Sequence, residues 1–321
     1  MTRRCPDKRC NAPEVSCRLG ERTPAECEVW GSGPKAEAGG DGPERDPGLT
    51  RLPWSGAALG TTDLAFVTGR GEPKLVAVIG PHNAGKTTLL GMFYQQVGRS
   101  GRVGDDRFAG SYSLEGWEAI AHAMRWDDGA PRFPPHTSSG AGRAPGILHL
   151  ARRSDAGRLA DLLVADSPGE WFQRWSVDPA ATDGEGARWV VERASALLVV
   201  ADCEALSGAE RGAARGDLLN LIRRVAVTRR NRPVALVWAK ADLAVPAGIR
   251  DVIREAATRA LPDVVEFETS VVARERGGET IAAADSVTAV LDWCTLATPR
   301  GFDIPRPEPG SDPFFAMGFA A

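Results

Sequence analysis

Gly80-Pro81-His82-Asn83-Ala84-Gly85-Lys86-Thr87, preceded by Leu75-Val76-Ala77-Val78-Ile79 and followed by Thr88-Leu89-Leu90-Gly91-Met92-Phe93, is the stretch that decides the fold. Five consecutive apolar residues ending on a glycine turn read as a buried strand, and the apolar run after Thr87 reads as a helix start. In that context G-x-x-x-x-G-K-[ST] is a phosphate cradle. The backbone of Gly80, Asn83, Ala84, Gly85, Lys86, Thr87 and Thr88 would face an anion at the helix N-terminus. Lys86 would reach the β- and γ-phosphates, and Thr87 would coordinate Mg²⁺. A chance glycine turn is the alternative, and the complete match between strand and helix speaks against it.

Downstream, the pattern alternates. A helix is expected over 88–97, a helical spacing recurs over Leu114–Trp126, and strands return at Ile147–Ala151 and Leu159–Ala165, joined by a polar turn. That pair reads as a hairpin, which places one antiparallel strand at the edge of an otherwise parallel sheet. Strands at Ala196–Ala201, Val234–Ala239 and Val264–Thr269 then alternate with helices at Arg215–Thr228, Ala247–Ala260 and Thr280–Leu296. Such alternation means a doubly wound α/β domain, whose chemistry sits at the carboxyl ends of its strands.

Three strand ends carry something. Leu162-Leu163-Val164-Ala165-Asp166-Ser167-Pro168-Gly169 puts a carboxylate where a strand leaves the sheet. Asp166 is placed to hold Mg²⁺ directly or through water, and Gly169 to offer a backbone N–H to the γ-phosphate. An Asp capping the turn before Pro168 is the plain alternative. Leu236-Val237-Trp238-Ala239-Lys240-Ala241-Asp242 ends another strand. A buried Asp242 carboxylate accepts from N1–H and the exocyclic amine of guanine, whereas adenine presents an acceptor at N1 and leaves a buried polar group unpaired. The aliphatic stem of Lys240 can cover the base. At Phe267-Glu268-Thr269-Ser270, a backbone N–H near Ser270 would meet the guanine O6.

Phosphate loop, DxxG, a variant of the N/T-K-x-D signature and a short serine-containing last loop occur in the order of the translation-factor/Ras-like (TRAFAC-class) P-loop GTPases, and residues 74–297 resemble them. The layout also resembles GTPases of bacterial conflict systems, including those of double-GTPase type, although one GTPase unit is visible. The resemblance implies a P-loop NTPase fold, GTP/GDP and Mg²⁺ as ligands, Asp166 and Gly169 as the γ-phosphate switch, and Lys240, Asp242 and Ser270 around guanine. Two positions depart from it. Ala239 stands where the family has Asn or Thr, which weakens the tie between base loop and phosphate loop and leaves adenine as an alternative. Glu170 stands where Ras-like members place a water-orienting Gln, so slow intrinsic hydrolysis is expected, with a partner completing the site. The switch threonine that would join the metal shell is best matched by Thr137 in Pro135-His136-Thr137-Ser138, which is otherwise a plain loop residue. The long interval from Lys86 to Asp166 implies an insertion over 98–135.

Ahead of this domain stand Cys5, Cys10, Cys17 and Cys27, four of the 6 cysteines. Four thiolates suit a tetrahedral structural Zn²⁺ that folds a segment too small to fold by burial. A cysteine-containing tail without metal, and a redox or iron–sulfur role, are the alternatives. Residues 31–50 are rich in Gly and Pro and read as a flexible linker. Residues 51–73 read as a lead-in strand or packed segment, and 298–321 as a Pro-rich tail.

The chain has 321 residues and a formal net charge of −3. That balance argues against a nucleic-acid partner, and the absence of a long apolar run argues against a membrane one, leaving a cytoplasmic protein that acts through an effector or activating protein. A non-hydrolysing nucleotide-binding adaptor is the second reading, and a P-loop ATPase or kinase the third. Arg223, Arg224, Arg229, Arg230 and Arg232 form the densest basic group, either a solvated helix end, an acidic partner's docking face or a nucleic-acid contact, the last disfavoured because no aromatic platform accompanies it. Trp171, Phe172 and Trp175 are either core or an aromatic face that moves with the switch. His82 reads as a solvent-facing loop position, and Cys203 and Cys294 as core.

Overall fold

The structure, a computed structural model, describes residues 58–124 and 145–299, apart from Arg70, Glu72, Gly277 and Gly278. The four N-terminal cysteines, the linker, Thr137 and the C-terminal tail lie outside the described residues.

Eight strands form one sheet. They are β1 (Lys74–Ile79), β2 (Arg102–Val103), β3 (Asp106–Gly110), β4 (Gly146–Arg153), β5 (Leu159–Asp166), β6 (Ala196–Asp202), β7 (Val234–Ala239) and β8 (Val265–Glu268), in the spatial order β2-β3-β4-β5-β1-β6-β7-β8. From β5 to β8 all neighbours are parallel. The β4–β5 pair is the expected antiparallel hairpin, with Ile147 opposite Ala165 and Leu150 opposite Leu162.

It is not the edge. β3 adds antiparallel to β4, and β2 to β3, so three antiparallel strands replace the single one expected. The two additional strands come from the segment read as an unpatterned insertion. β2 has two residues and β3 alternates between half-buried and exposed positions, too short and too polar to show an apolar period. A separate two-stranded ribbon, β9 (Arg274–Arg276) with β10 (Glu279–Ile281), takes the first residues assigned by sequence to the last helix.

Strand residues alternate between two cores, as period-2 geometry demands. Ala77, Ile79, Leu163, Ala165, Val199, Leu236 and Trp238 face one side. There they meet α1 (Leu64–Thr68), α4 (Gly169–Val177), α5 (Glu185–Arg193), α6 (Cys203–Ser207), α7 (Arg211–Thr228) and α8 (Ala247–Ala260). Val76, Val78, Leu148, Val164, Leu198, Val200 and Val237 face the other, under α2 (Lys86–Ser100), α3 (Leu114–Ala123) and α9 (Ala283–Leu296). In the lead-in segment, α1 is a helix where a strand was one of the expectations, and Leu59 alone makes an antiparallel bridge to Ile147.

Trp171, Phe172 and Trp175 are buried in the first core together with Val190, Val191 and Leu221, so they are core residues and present no exposed aromatic face. Part of the basic group is structural as well. The Arg232 guanidinium is buried and donates to the carbonyls of Val191, Ala194 and Thr228, while its Nε donates to the carbonyl of Arg229. Cys203 and Cys294 are buried, as expected.

Candidate functional site

Val78 and Ile79 are fully buried at the end of β1, and the chain turns at Gly80 into a loop that closes on the first residue of α2. The turn needs left-handed backbone twice. Asn83 takes φ 60° and Gly85 φ 84°, conformations that a short polar residue and a glycine adopt at least cost. This aims the first turn of α2, whose N–H groups have no intrahelical acceptor, at the space above the strand ends. Lys86 opens that turn. It is buried, and its ammonium donates to the loop's own carbonyls at Gly80 (3.1 Å) and Pro81 (2.9 Å). Burial pushes its pKa down to about 8, against the opposing pull of the Asp166, Glu170 and Asp202 carboxylates. An ammonium folded onto neutral carbonyls, with three carboxylates nearby, is placed to exchange those carbonyls for phosphate oxygens.

Thr87 follows. Its hydroxyl lies 3.1 and 3.3 Å from the two oxygens of Asp166, the buried carboxylate at the end of β5. Register explains the meeting: β5 runs parallel beside β1, so the two strand ends leave the sheet together. Behind Asp166, Ser167 is fully buried and its hydroxyl has no hydrogen-bond partner among the described residues. Gly169 then packs so closely on the phosphate loop that a Cβ would fall 2.2 Å from the backbone nitrogen of His82. Only glycine fits there. Glu170, next in α4, extends across the loop to His82, Nδ1 to Oε1 being 2.9 Å, with the two side chains 41% and 50% exposed. His82 is solvent-facing, as the sequence suggests, and is in addition engaged with Glu170.

The far wall comes from β7, β8 and β6. Ala239 ends β7, and its Cβ lies 3.6 Å from the point where a Gly85 side chain would start, so base loop and phosphate loop meet there through an apolar contact. Lys240 takes φ 56°, an uncommon conformation for a long side chain, and its ammonium binds Asp202 at 3.1 Å and Glu204 at 2.7 Å. The Ser270 hydroxyl donates to Asp242 Oδ1 at 2.6 Å. Backbone bonds from Thr269 N–H to the Trp238 carbonyl and from Ala241 N–H to the Thr269 carbonyl pin the two loops side by side.

One cavity of about 680 Å³ is lined by residues of all these segments, among them Lys86, Thr87, Ser167, Gly169, Lys240, Asp242 and Ser270. Of the candidate site residues read from the sequence, Asn83, Ala84, Gly85, Lys86, Thr87, Thr88, Gly169, Lys240, Asp242 and Ser270 line this cavity, and Gly80, Asp166 and Glu170 adjoin it through Lys86, Thr87 and His82. Sequence reading passed over Ser167, Asp202 and Glu204. Asp202 had a usable signal, since like Asp166 it is a carboxylate that ends a buried apolar run. It also caps α6, accepting from the N–H groups of Glu204 and Ala205.

The donors fit the ligands that the motif implies. A hydroxyl and a carboxylate suit the hard, oxygen-seeking Mg²⁺. The orphaned Ser167 hydroxyl and the bare Gly169 fit a site that closes around phosphate. Among the described residues no cluster of three or more His, Cys, Asp or Glu is arranged for another metal, and no helix is long and apolar enough to cross a membrane.

Fold and site together define a P-loop nucleotide-binding α/β protein. Residues 74–294, well over half of the chain, match the family model described as Double-GTPase 2, and the protein belongs to that family. No curated protein matches it. Among solved structures, it is similar to ttk003000868 from Thermus thermophilus, at 17% identity over 65% of this chain and 24% of the other, with a TM-score of 0.33. It is also similar to the GTPase-like domain of Ski7 from S. cerevisiae. In the form bound to GTP the identity is 12% over 72% of this chain and 52% of that one, TM-score 0.37. In the form bound to GDP and inorganic phosphate it is 13% over 71% and 51%, TM-score 0.38. The chain spans about a quarter of the first and about half of the other two.

Proposed function

We propose that this protein is a GTP-binding molecular switch that hydrolyses GTP slowly. The observation that carries the reading is the Asp242 carboxylate, held by Ser270 at 2.6 Å in the same cavity as Lys86, Thr87 and Ser167. With one oxygen engaged by a hydroxyl, Asp242 keeps acceptor capacity for two N–H donors on one edge of a base, and guanine supplies them. Family membership supports the same nucleotide.

In this reading the first turn of α2 and Lys86 bind the phosphates, with Gly80, Asn83, Ala84, Gly85 and Thr88 completing the cradle. Thr87 and Asp166 would hold Mg²⁺, which when bound neutralises phosphate charge as the γ-phosphoryl departs. Gly169 would offer its backbone N–H to the γ-phosphate, and Thr137 would join the metal shell. Glu170 faces the attacking water. Its negative charge beside phosphate and the alanine at position 239 keep the intrinsic rate and the affinity modest, so an activating partner or effector engages the switch segments. A non-hydrolysing adaptor is the second reading, favoured by the carboxylate of Glu170 where Ras-like members place a neutral Gln, since its charge is repelled by a γ-phosphate. We further propose that Cys5, Cys10, Cys17 and Cys27 bind one Zn²⁺, and that the protein acts in the cytoplasm within a bacterial conflict system.

Competition binding against a labelled GTP analogue tests the core of this. GTP should compete and ATP should not, and Asp242→Asn should shift preference toward xanthosine nucleotides. Equal competition by ATP would sink the guanine assignment. Single-turnover assays separate switch from adaptor, and metal analysis of freshly purified protein tests the zinc.

A further inference from the structure

The phosphate loop carries an imidazole that phosphate binding does not use. His82 is its third residue, and its imidazole meets Glu170 at 2.9 Å. A carboxylate only accepts hydrogen bonds, so His82 Nδ1 carries the proton and donates it. The contact has a backbone cause. Gly169 lies against the backbone of Pro81 and His82 with no room for a Cβ, so the start of α4 and the phosphate loop are already in van der Waals contact. Glu170 is the first side chain of α4 beyond that contact, and His82 is the side chain it reaches. Glu170 stands at the margin of the phosphate region, since its partner His82 and its chain neighbour Gly169 both line the cavity. A carboxylate there is repelled by a γ-phosphate unless something offsets its charge and fixes its direction.

We propose that His82 is a positioning residue for Glu170: it ties one carboxylate oxygen to the phosphate loop and leaves Oε2 directed at the water that attacks the γ-phosphate. The role rests on the GTP-hydrolysis reading above. In the step it serves, the water oxygen bonds to the γ-phosphorus and the bond from that phosphorus to the bridging β-γ oxygen breaks, releasing GDP. One water proton passes to Oε2 and then to the departing inorganic phosphate, which restores the His82–Glu170 pair. His82 donates the same hydrogen bond throughout and is neither oxidised nor consumed.

The variants His82→Ala, His82→Gln, Glu170→Ala and the double His82→Ala/Glu170→Ala test it. His82 is largely outside the core, so each should fold with an unchanged thermal midpoint. Under saturating Mg²⁺ and GTP, His82→Ala should slow single turnover about tenfold, the size of coupling expected between neighbouring polar groups. Its affinity for a non-hydrolysable GTP analogue should stay within about threefold, because the lost contact is not to nucleotide. His82→Gln, whose amide can still donate, should recover most of the rate. The double variant should be no slower than Glu170→Ala. Independently of activity, nitrogen-15 NMR of the nucleotide-free protein should show the His82 imidazole protonated at Nδ1 in the wild type and shifted toward the Nε2–H tautomer in Glu170→Ala. Wild-type turnover by His82→Ala, full multiplication of the two defects, or the Nε2–H tautomer in both proteins would overturn the role. A wild-type protein that binds GTP and never hydrolyses it overturns the parent reading and this role with it. Normal wild-type turnover with an unaffected His82→Ala overturns this role alone.

Discussion

Lys86 is where burial and charge pull in opposite directions. Desolvation lowers its pKa from the ordinary 10.5 to about 8, while the carboxylates of Asp166, Glu170 and Asp202 resist. Phosphate needs the ammonium. Below pH 8 the unliganded protein already carries it, and affinity for GTP should be flat with pH. Above pH 8 the lysine is increasingly neutral and binding must take up a proton, so affinity should fall by up to about tenfold per pH unit. Stability of the unliganded protein moves the other way. Between about 8 and 10.5 the unfolded chain holds more protons at this residue than the folded one, so this group's contribution to stability rises with pH across that window. Titration calorimetry in buffers of different ionisation heat checks the proton uptake, and a rising affinity above pH 8 would contradict it. Gly169 makes a simpler case. A methyl group there would sit 2.2 Å from the His82 nitrogen, so Gly169→Ala must push α4 off the phosphate loop. Nucleotide binding by that variant should drop by about an order of magnitude or more, the scale of losses from a misplaced site element, and a Kd unchanged in fluorescence titration would show that the two segments part freely.

At the scale of elements, the insertion is anchored by a buried polar cluster on β4. His149 accepts the Tyr112 N–H at Nδ1 (2.9 Å) and therefore donates from Nε2 to Asp161 on β5 (2.9 Å). Its carbonyl accepts from the Ser111 hydroxyl and from the indole of Trp117, which is fully buried in α3. Met124 and Ile120 then lie against Gly91 of α2, so the insertion braces the helix that begins at the phosphate loop. Trp117→Ala removes a core ring and leaves the His149 carbonyl one donor short. The cost should be about 3–5 kcal/mol in urea unfolding. The cysteines of the described domain give a second check. Burial pushes the Cys203 thiol up to about 12 and raises that of Cys294 as well, so neither forms the reactive thiolate at neutral pH. Mass-spectrometric mapping after iodoacetamide treatment of the folded protein should find both unmodified. These elements also show what the sequence could disclose. The strand–loop–helix around Gly80–Thr87 was legible because motif and apolar run coincide, β6 and β7 because each is an unbroken apolar run, and α8 because its apolar residues recur at helical spacing. β2 and β3 were hidden because they are short, polar and stabilised by pairing with β4, a long-range partner that local pattern does not encode. The partners of Lys240 were hidden for the same reason, because Asp202 meets Lys240 only once β6 and β7 lie side by side.

For the whole molecule, the phosphate half and the base half of the cavity are built on the same rigid sheet, with β1 and β5 on one side and β7 and β8 on the other. Ligand that spans both should therefore stabilise the domain as a unit. Ligand bound only to the folded state at a hundredfold excess over Kd adds about 2.7 kcal/mol. For a domain of this size that corresponds to a rise in Tm of roughly 5–11 °C. GTP with Mg²⁺ should produce such a rise in differential scanning fluorimetry, and GDP a comparable one. ATP should produce little, since it fits the phosphate half while leaving Asp242 without its donors. Asp242→Asn should abolish the GTP shift while keeping the melting point of the unliganded protein within a few degrees, because Asp242 is exposed and its hydrogen bond is to Ser270 in the adjoining loop. A full shift with ATP would mean that the phosphate half alone governs binding, and that the arrangement of Asp242 and Ser270 serves the loop and not the base.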